Sequence, residues 1–190
     1  MRLIAIRLAA LSVLVPVALV AVAAAALPPM KPGLWEARTS VLDANGKEVT
    51  PPEQAAMASM TPETKARMAE ALKARGLSLP DATGATKVCL TKEMFESGAW
   101  QQMAADAGCT TNYSTQSSTM WKWHTSCTGS LKAESDGETA FNSAESYRTK
   151  MTMTSTVMGK TNTSTRIVQG KWLGADCGEV KPFTPPVRPK

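Results

Sequence analysis

Only one histidine, His124, occurs in the 190 residues. No G-x-S-x-G elbow, H-E-x-x-H pair, P-loop or G-x-G-x-x-G turn accompanies it. Serine-triad, zinc-hydrolase, nucleotide and dinucleotide chemistry each depend on one of those spacings. Close cysteine pairs are missing too: Cys89, Cys109, Cys127 and Cys177 are separated by 20, 18 and 50 positions. That removes the C-x-x-C pattern of structural zinc and of thiol redox enzymes. Charge is modest, at +5 with acids interspersed among the bases, which argues against nucleic acid as a partner. Downstream of residue 26 there is no apolar run of about 18 residues, so no transmembrane helix is expected there. Internal repeats are absent as well.

What is present begins at the first residue. Arg2 and Arg7 precede the apolar run LAALSVLVPVALVAV, and Ala24, Ala25 and Ala26 follow it. A positive start, an apolar core of about 15 residues and small residues at the end form an export signal. Residues 1–26 are therefore expected to be removed, leaving 164 residues for one domain in the periplasm. No cysteine stands at the cleavage region to take a lipid. In an oxidising compartment an even set of cysteines reads as disulfides.

The rest of the chain reads as mainly β (α+β). Leu34 to Leu42 is a first strand, and Asp43-Ala44-Asn45-Gly46 is a turn. Residues 51–76 are a helical insertion, rich in Ala, Met, Glu, Lys and Arg. Thr61 is placed to cap, Pro62 fits the first helical position and Gly76 fits just past the end. Ala85 to Leu90 is a strand, Thr91 caps a short helix, and Trp100 to Ala107 reads as a further helical turn. From Cys109 onward the composition is β-like, in strands joined by short turns. The sum is an antiparallel meander of about seven strands, curled into a half-barrel. Residues 27–180 make up this single domain, and residues 181–190, with four prolines, make a flexible tail.

Strand parity places side chains. Cys109 and Tyr113 share a face of one strand, and Trp121, Trp123 and Cys127 share a face of the next. A tight turn around Ser117-Ser118-Thr119 sets Tyr113 opposite Trp123 and Cys109 opposite Cys127. Opposed residues bring Cβ atoms to about 4.5–5.5 Å, and a non-hydrogen-bonded pair comes close enough for a bridge. Cys109–Cys127 is thus the expected disulfide, and Cys89–Cys177 follows by elimination. A later turn at Asn142-Ser143-Ala144-Glu145 sets Phe141 opposite Tyr147.

Three constellations carry what chemistry the sequence offers. Tyr113, Trp121 and Trp123 form an aromatic ladder, which either holds an apolar envelope ligand or packs beneath the helical segments. Met151 and Met153 share a strand face, and thioethers suit copper(I); with His124 they are the alternative metal set, although methionine also fills core gaps. Other methionines include Met57 and Met60. Glu134, Asp136 and Glu138 line a solvated face. No cofactor is implied. The leading expectation is a non-enzymatic periplasmic protein that binds an envelope ligand or a protein partner. An envelope hydrolase using His124 is a third reading.

Several segments resemble a known family in their order along the chain. Met30-Lys31-Pro32-Gly33-Leu34-Trp35-Glu36 is similar to the opening motif of the exported bacterial proteins grouped as domain of unknown function 3617. Lys73-Ala74-Arg75-Gly76-Leu77, Cys89-Leu90-Thr91, the hairpin between Cys109 and Cys127, Ser146-Tyr147 before Met151-Thr152-Met153, and Trp172-Leu173-Gly174-Ala175-Asp176-Cys177 follow in sequence. Where the family often turns on a glycine, this chain has Asn142-Ser143-Ala144-Glu145. The resemblance implies a secreted, cysteine-bearing, mainly β protein of a Gram-negative bacterium. The family brings no established activity, so no functional residue is carried over from it.

Overall fold

The computed structural model describes residues 27–43, 45–81, 83–98, 105, 108–128, 132–157 and 159–183. The export signal expected at 1–26 lies outside them, as do residues 184–190 and nearly all of the helical turn expected over 100–107.

The chain opens with strand β1 (Gly33–Leu42) and the two-residue β2 (Glu48–Val49). Asp43 makes the turn between them: its Oδ1 accepts from the backbone N–H groups of Asn45 and Lys47, each at 2.9 Å. Two helices follow, α1 (Pro52–Ala58) and α2 (Pro62–Lys73). The sequence predicts a helix capped at Thr61 in this insertion, and α2 is that helix; the structure adds α1 before it, so that the helical path stops at Ala58 and restarts at Thr61. The restart has a local cause. Thr61 Oγ1 accepts from Thr64 N at 3.3 Å, and Pro62, lacking an N–H, fits the first turn. None of the α2 residues is fully buried, so the helix lies on the surface.

Next come β3 (Ala85–Leu90) and α3 (Lys92–Ser97), the latter capped by Thr91 and ended by Gly98 in the left-handed region. Then five strands run as successive hairpins: β4 (Cys109–Gln116), β5 (Met120–Thr128), β6 (Lys132–Ser143), β7 (Ser146–Val157) and β8 (Lys160–Gly174). The fold is mostly β, as expected: the described residues form eight antiparallel strands in an open sheet, with the three short helices α1 to α3. The order is β2-β1-β8-β7-β6-β5-β4, with β3 pairing β1 alongside β2. The first strand therefore sits between β3 and the last strand, not at the start of a simple meander.

Both disulfides form as the sequence predicts, Cys109–Cys127 and Cys89–Cys177. Cys109 and Cys127 are directly opposed, with Cα atoms 4.0 Å apart. Thr128 N donates to Gly108 O at 3.0 Å, which makes them a non-hydrogen-bonded pair, the closer of the two kinds. Cys89–Cys177 ties β3 to the segment after β8. The start of the Pro-rich segment is docked beside it: Phe183 N donates to Cys89 O, and Pro182 bridges Cys89. Gly76 permits this approach. A Cβ there would lie 2.5 Å from Lys181 O, and its φ of +75° is one that side-chain-bearing residues avoid.

The register sorts the side chains. Trp35, Tyr147, Phe141, Trp121, Trp123 and Tyr113 share one face; Glu36, Arg38, Lys150, Glu138, Asp136 and His124 share the other. Trp35 is 1% exposed, and Trp121 and Phe141 are each 7% exposed, so the aromatic face carries most of the core. Ile167, 2% exposed, is an apolar island on the polar face, opposed by Ser40 and Lys150. Among the described residues no helix is long and apolar enough to cross a membrane.

Candidate functional site

Two neighbourhoods hold the residues singled out from the sequence, and the sheet separates them. On the aromatic face, one row across four strands runs Tyr113, Trp123, Gly137, Met151. The next row runs Thr111, Thr125, Ser135, Met153. On the side toward the core, Trp121 meets Tyr113 edge-on at 5.6 Å between ring centres, and Phe141 edge-on at the same distance. Trp35 and Tyr147 continue the aromatic packing at 5.6 Å. Edge-to-face pairs of this kind add about 0.5–1.5 kcal/mol beyond their buried area.

Glycines make room for the rings. Gly137 has an ordinary backbone conformation, yet a Cβ there would lie 2.0 Å from the Trp123 indole. Gly170 stands in the same relation to Tyr147, also at 2.0 Å. The sheet is thus notched at two points, and a ring lies in each notch.

The indole N–H groups distinguish the tryptophans. Trp35 donates to Lys31 O at 2.9 Å, Trp121 to Ser117 O at 3.1 Å and Trp172 to Pro32 O at 3.1 Å. Trp123 is half-buried, and its indole N–H, which is not one of the buried unpartnered groups, is open to solvent. Nearby, the side-chain nitrogen of Gln116, opposite Trp121, is buried and unpartnered. Burial pushes the Tyr113 hydroxyl above its usual range, so it stays neutral and able to donate. The ladder is therefore graded. Trp121 is packed away, while Tyr113 and Trp123 remain partly accessible.

On the polar face, His124 lies between two carboxylates of β6. Its Nδ1 is 2.9 Å from Asp136 Oδ1, and its Nε2 is 2.9 Å from Glu134 Oε2. Asp136 is directly opposite on the neighbouring strand, and Glu134 is the diagonal neighbour. The hydrogen bond to Asp136 holds the imidazole above its ordinary range; desolvation opposes it, and the negative charges of Asp136 and Glu134 add to the rise. Lys122–Glu138 at 3.1 Å and Ser126–Glu134 at 2.8 Å extend the same cross-strand pattern. A groove of about 650 Å3 runs past these groups.

His124 thus lies on the opposite face from Met151 and Met153, and the structure does not bring the three together. Both ring nitrogens of His124 are also engaged. Among the described residues no group of three or more His, Cys, Asp or Glu is arranged to hold a metal ion. Parity was enough to set His124 apart from the tryptophans. The clamp by Glu134 and Asp136 was missed, although all three residues stand on the polar parity of adjacent strands.

Comparison with known proteins adds a family and little chemistry. Residues 30–177 match the family described as Protein of unknown function (DUF3617). A Pseudomonas putida protein described as an uncharacterized protein in the lpd-3 5' region is 29% identical over 116 residues, covering 59% of this chain and 77% of that one. No solved structure matches significantly.

Proposed function

This chain belongs to the DUF3617 family, and from that premise we propose that it is a non-enzymatic binding protein of the periplasm that takes an apolar envelope ligand at the Trp123 end of its aromatic face. The observation that carries the reading is the state of Trp123. Its ring is half-buried over Gly137, and its N–H is unused, while the three other described indoles are satisfied by backbone carbonyls. An indole left with an apolar body and a free polar tip suits a ligand that has both characters.

Other features support the same reading. Two disulfides fit an oxidising, exported location. The sole histidine is held in a cross-strand clamp rather than aimed at a nucleophile. The row beside Trp123 offers Tyr113 and Met151 as further apolar contacts, and methionine adapts to irregular ligand shapes.

The test is a fluorescence titration of the disulfide-bonded protein with decanoate and with 1-anilinonaphthalene-8-sulfonate. A saturable shift in emission with either probe, lost in Trp123→Ala while the circular dichroism spectrum is kept, is the expected result. Emission indifferent to both probes, or a shift that survives Trp123→Ala, overturns the reading.

A further inference from the structure

Three methionines that take no part in the aromatic face meet elsewhere. Met57 of α1, Met60 of the connection and Met68 of α2 line one cavity of about 370 Å3, together with Leu79 and Pro80. All three are half-buried. The interruption at Ser59–Met60 separates α1 from α2, and methionines from both helices and from the connection line the same cavity.

The charged groups at the cavity are already committed. Lys65 Nζ donates to Ala58 O at 3.1 Å, so its charge is spent on the carbonyl end of α1. Asp81 Oδ1 accepts from Thr83 N and Thr83 Oγ1, each at 2.7 Å, and from Ala85 N at 3.1 Å. Those bonds hold the Asp81 carboxyl below its usual range, as expected of an oxygen occupied by donors. The wall on the α1 side is fixed as well. Gln54 lies so close to Gly84 that a Cβ there would be 2.3 Å from its Oε1. What the cavity offers a guest is chiefly soft sulfur and aliphatic surface, with the Gln54 amide at one side.

We propose that this cavity is a copper(I) site with Met57, Met60 and Met68 as its thioether ligands. Thioether sulfur selects soft cations, and copper(I) is the soft first-row metal ion; calcium and magnesium require six or more oxygen donors, whereas the lining offers three thioethers. All described cysteines are in disulfides, so methionine is the soft donor the chain has left. A thioether carries no titratable proton, so the site stays competent in acid, where histidine and thiolate sites release their metal. The proposal is independent of the aromatic-face reading, since no residue is shared.

Copper(I) delivered anaerobically in competition with bicinchoninate tests it on the disulfide-bonded protein. One equivalent is expected to transfer to the wild type. Met57→Leu with Met60→Leu and Met68→Leu removes that equivalent; Met151→Leu with Met153→Leu leaves it in place. Each single Leu substitution weakens binding by more than about tenfold, a scale that even outer partners of a metal reach. Silver(I), which does not cycle its oxidation state, is the second probe, and three methionine methyl resonances are expected to move with it. Where the triple variant fails to fold, the single variants and the silver shifts decide. Wild-type protein that takes no copper(I), a triple variant that binds as well as the wild type, or loss of binding in the Met151/Met153 variant instead overturns the assignment.

Discussion

The indole of Trp123 lies across Gly137 on the adjacent strand, in space that a single methyl group would fill: a Cβ at Gly137 would stand 2.0 Å from the ring. Position and ring are therefore coupled. The glycine is there for its missing side chain and not for unusual backbone angles, since it is not among the positive-φ residues.

Gly137→Ala is accordingly expected to push the indole off the sheet and to destabilise the protein by about 1–3 kcal/mol, the usual cost of overpacking. The Trp emission maximum measures the first effect, and urea denaturation measures the second. A variant with wild-type stability and emission would mean that the ring does not occupy the notch in solution.

Removing the two disulfides is expected to have unequal effects. Cys109–Cys127 closes 18 positions and Cys89–Cys177 closes 88. The chain-entropy relation gives about 3 kcal/mol for the shorter loop and about 4.6 kcal/mol for the longer one. Serine pairs at each bridge, compared by guanidinium denaturation, should rank in that order. The reverse order would point to structure retained in the unfolded chain around the longer loop.

Stability is expected to depend on pH through His124. Its folded pKa is raised, so the cationic form is favoured by folding. The contribution is fully present below the unfolded value of about 6.5 and is lost as pH rises through the higher folded value. NMR titration should find the imidazole titrating above its ordinary range. Asp136→Asn should lower that value, and His124→Gln should flatten the pH dependence in the window just above it. An imidazole titrating at or below its ordinary range contradicts the clamp.

Accessibility of the tryptophans gives a further check. Acrylamide should quench Trp123 strongly and Trp35 and Trp121 little, because the latter two are nearly fully buried. Trp123→Phe should remove most of the quenchable emission that Trp123, Trp35 and Trp121 supply. If quenching is unchanged in that variant, the Trp123 end of the face is covered.

Much of the second half of the fold was legible because its contacts are local. Parity and a short turn place Cys109 against Cys127 and Tyr113 against Trp123, and both pairs stand opposed in the structure. Phe141 opposite Tyr147 follows from the turn at residues 142–145 in the same way. The first half was less legible because its partners are distant. Nothing within Leu34–Leu42 announces that β1 pairs β8, or that Trp35 becomes the most buried side chain. The two-residue β2 is too short to show a period, and it is held by ion pairing instead: Glu48 accepts from Arg148 at 2.7 Å and from Ser40 at 2.9 Å. Of the candidate sites, the aromatic row could be read from alternation. The His124 clamp and the methionine cavity depend on where strands and helices meet, which alternation does not report.

The place of β1 between β3 and β8 also governs the order of assembly. Trp172 donates its indole N–H to Pro32 O, 140 positions away. The hairpins from β4 to β8 close as soon as each strand follows the last, whereas β1 can pair β2 and β3 early but meets its longest partner only when Thr165 to Gly174 have been made. A chain delivered N-terminus first through a membrane would thus keep one edge of its first strand open until β8 arrives, and the sheet would be completed only after translocation. The slowest step is expected to be this long loop closure, and the covalent tie from Cys89 to Cys177 then locks in the pairing that was last to form.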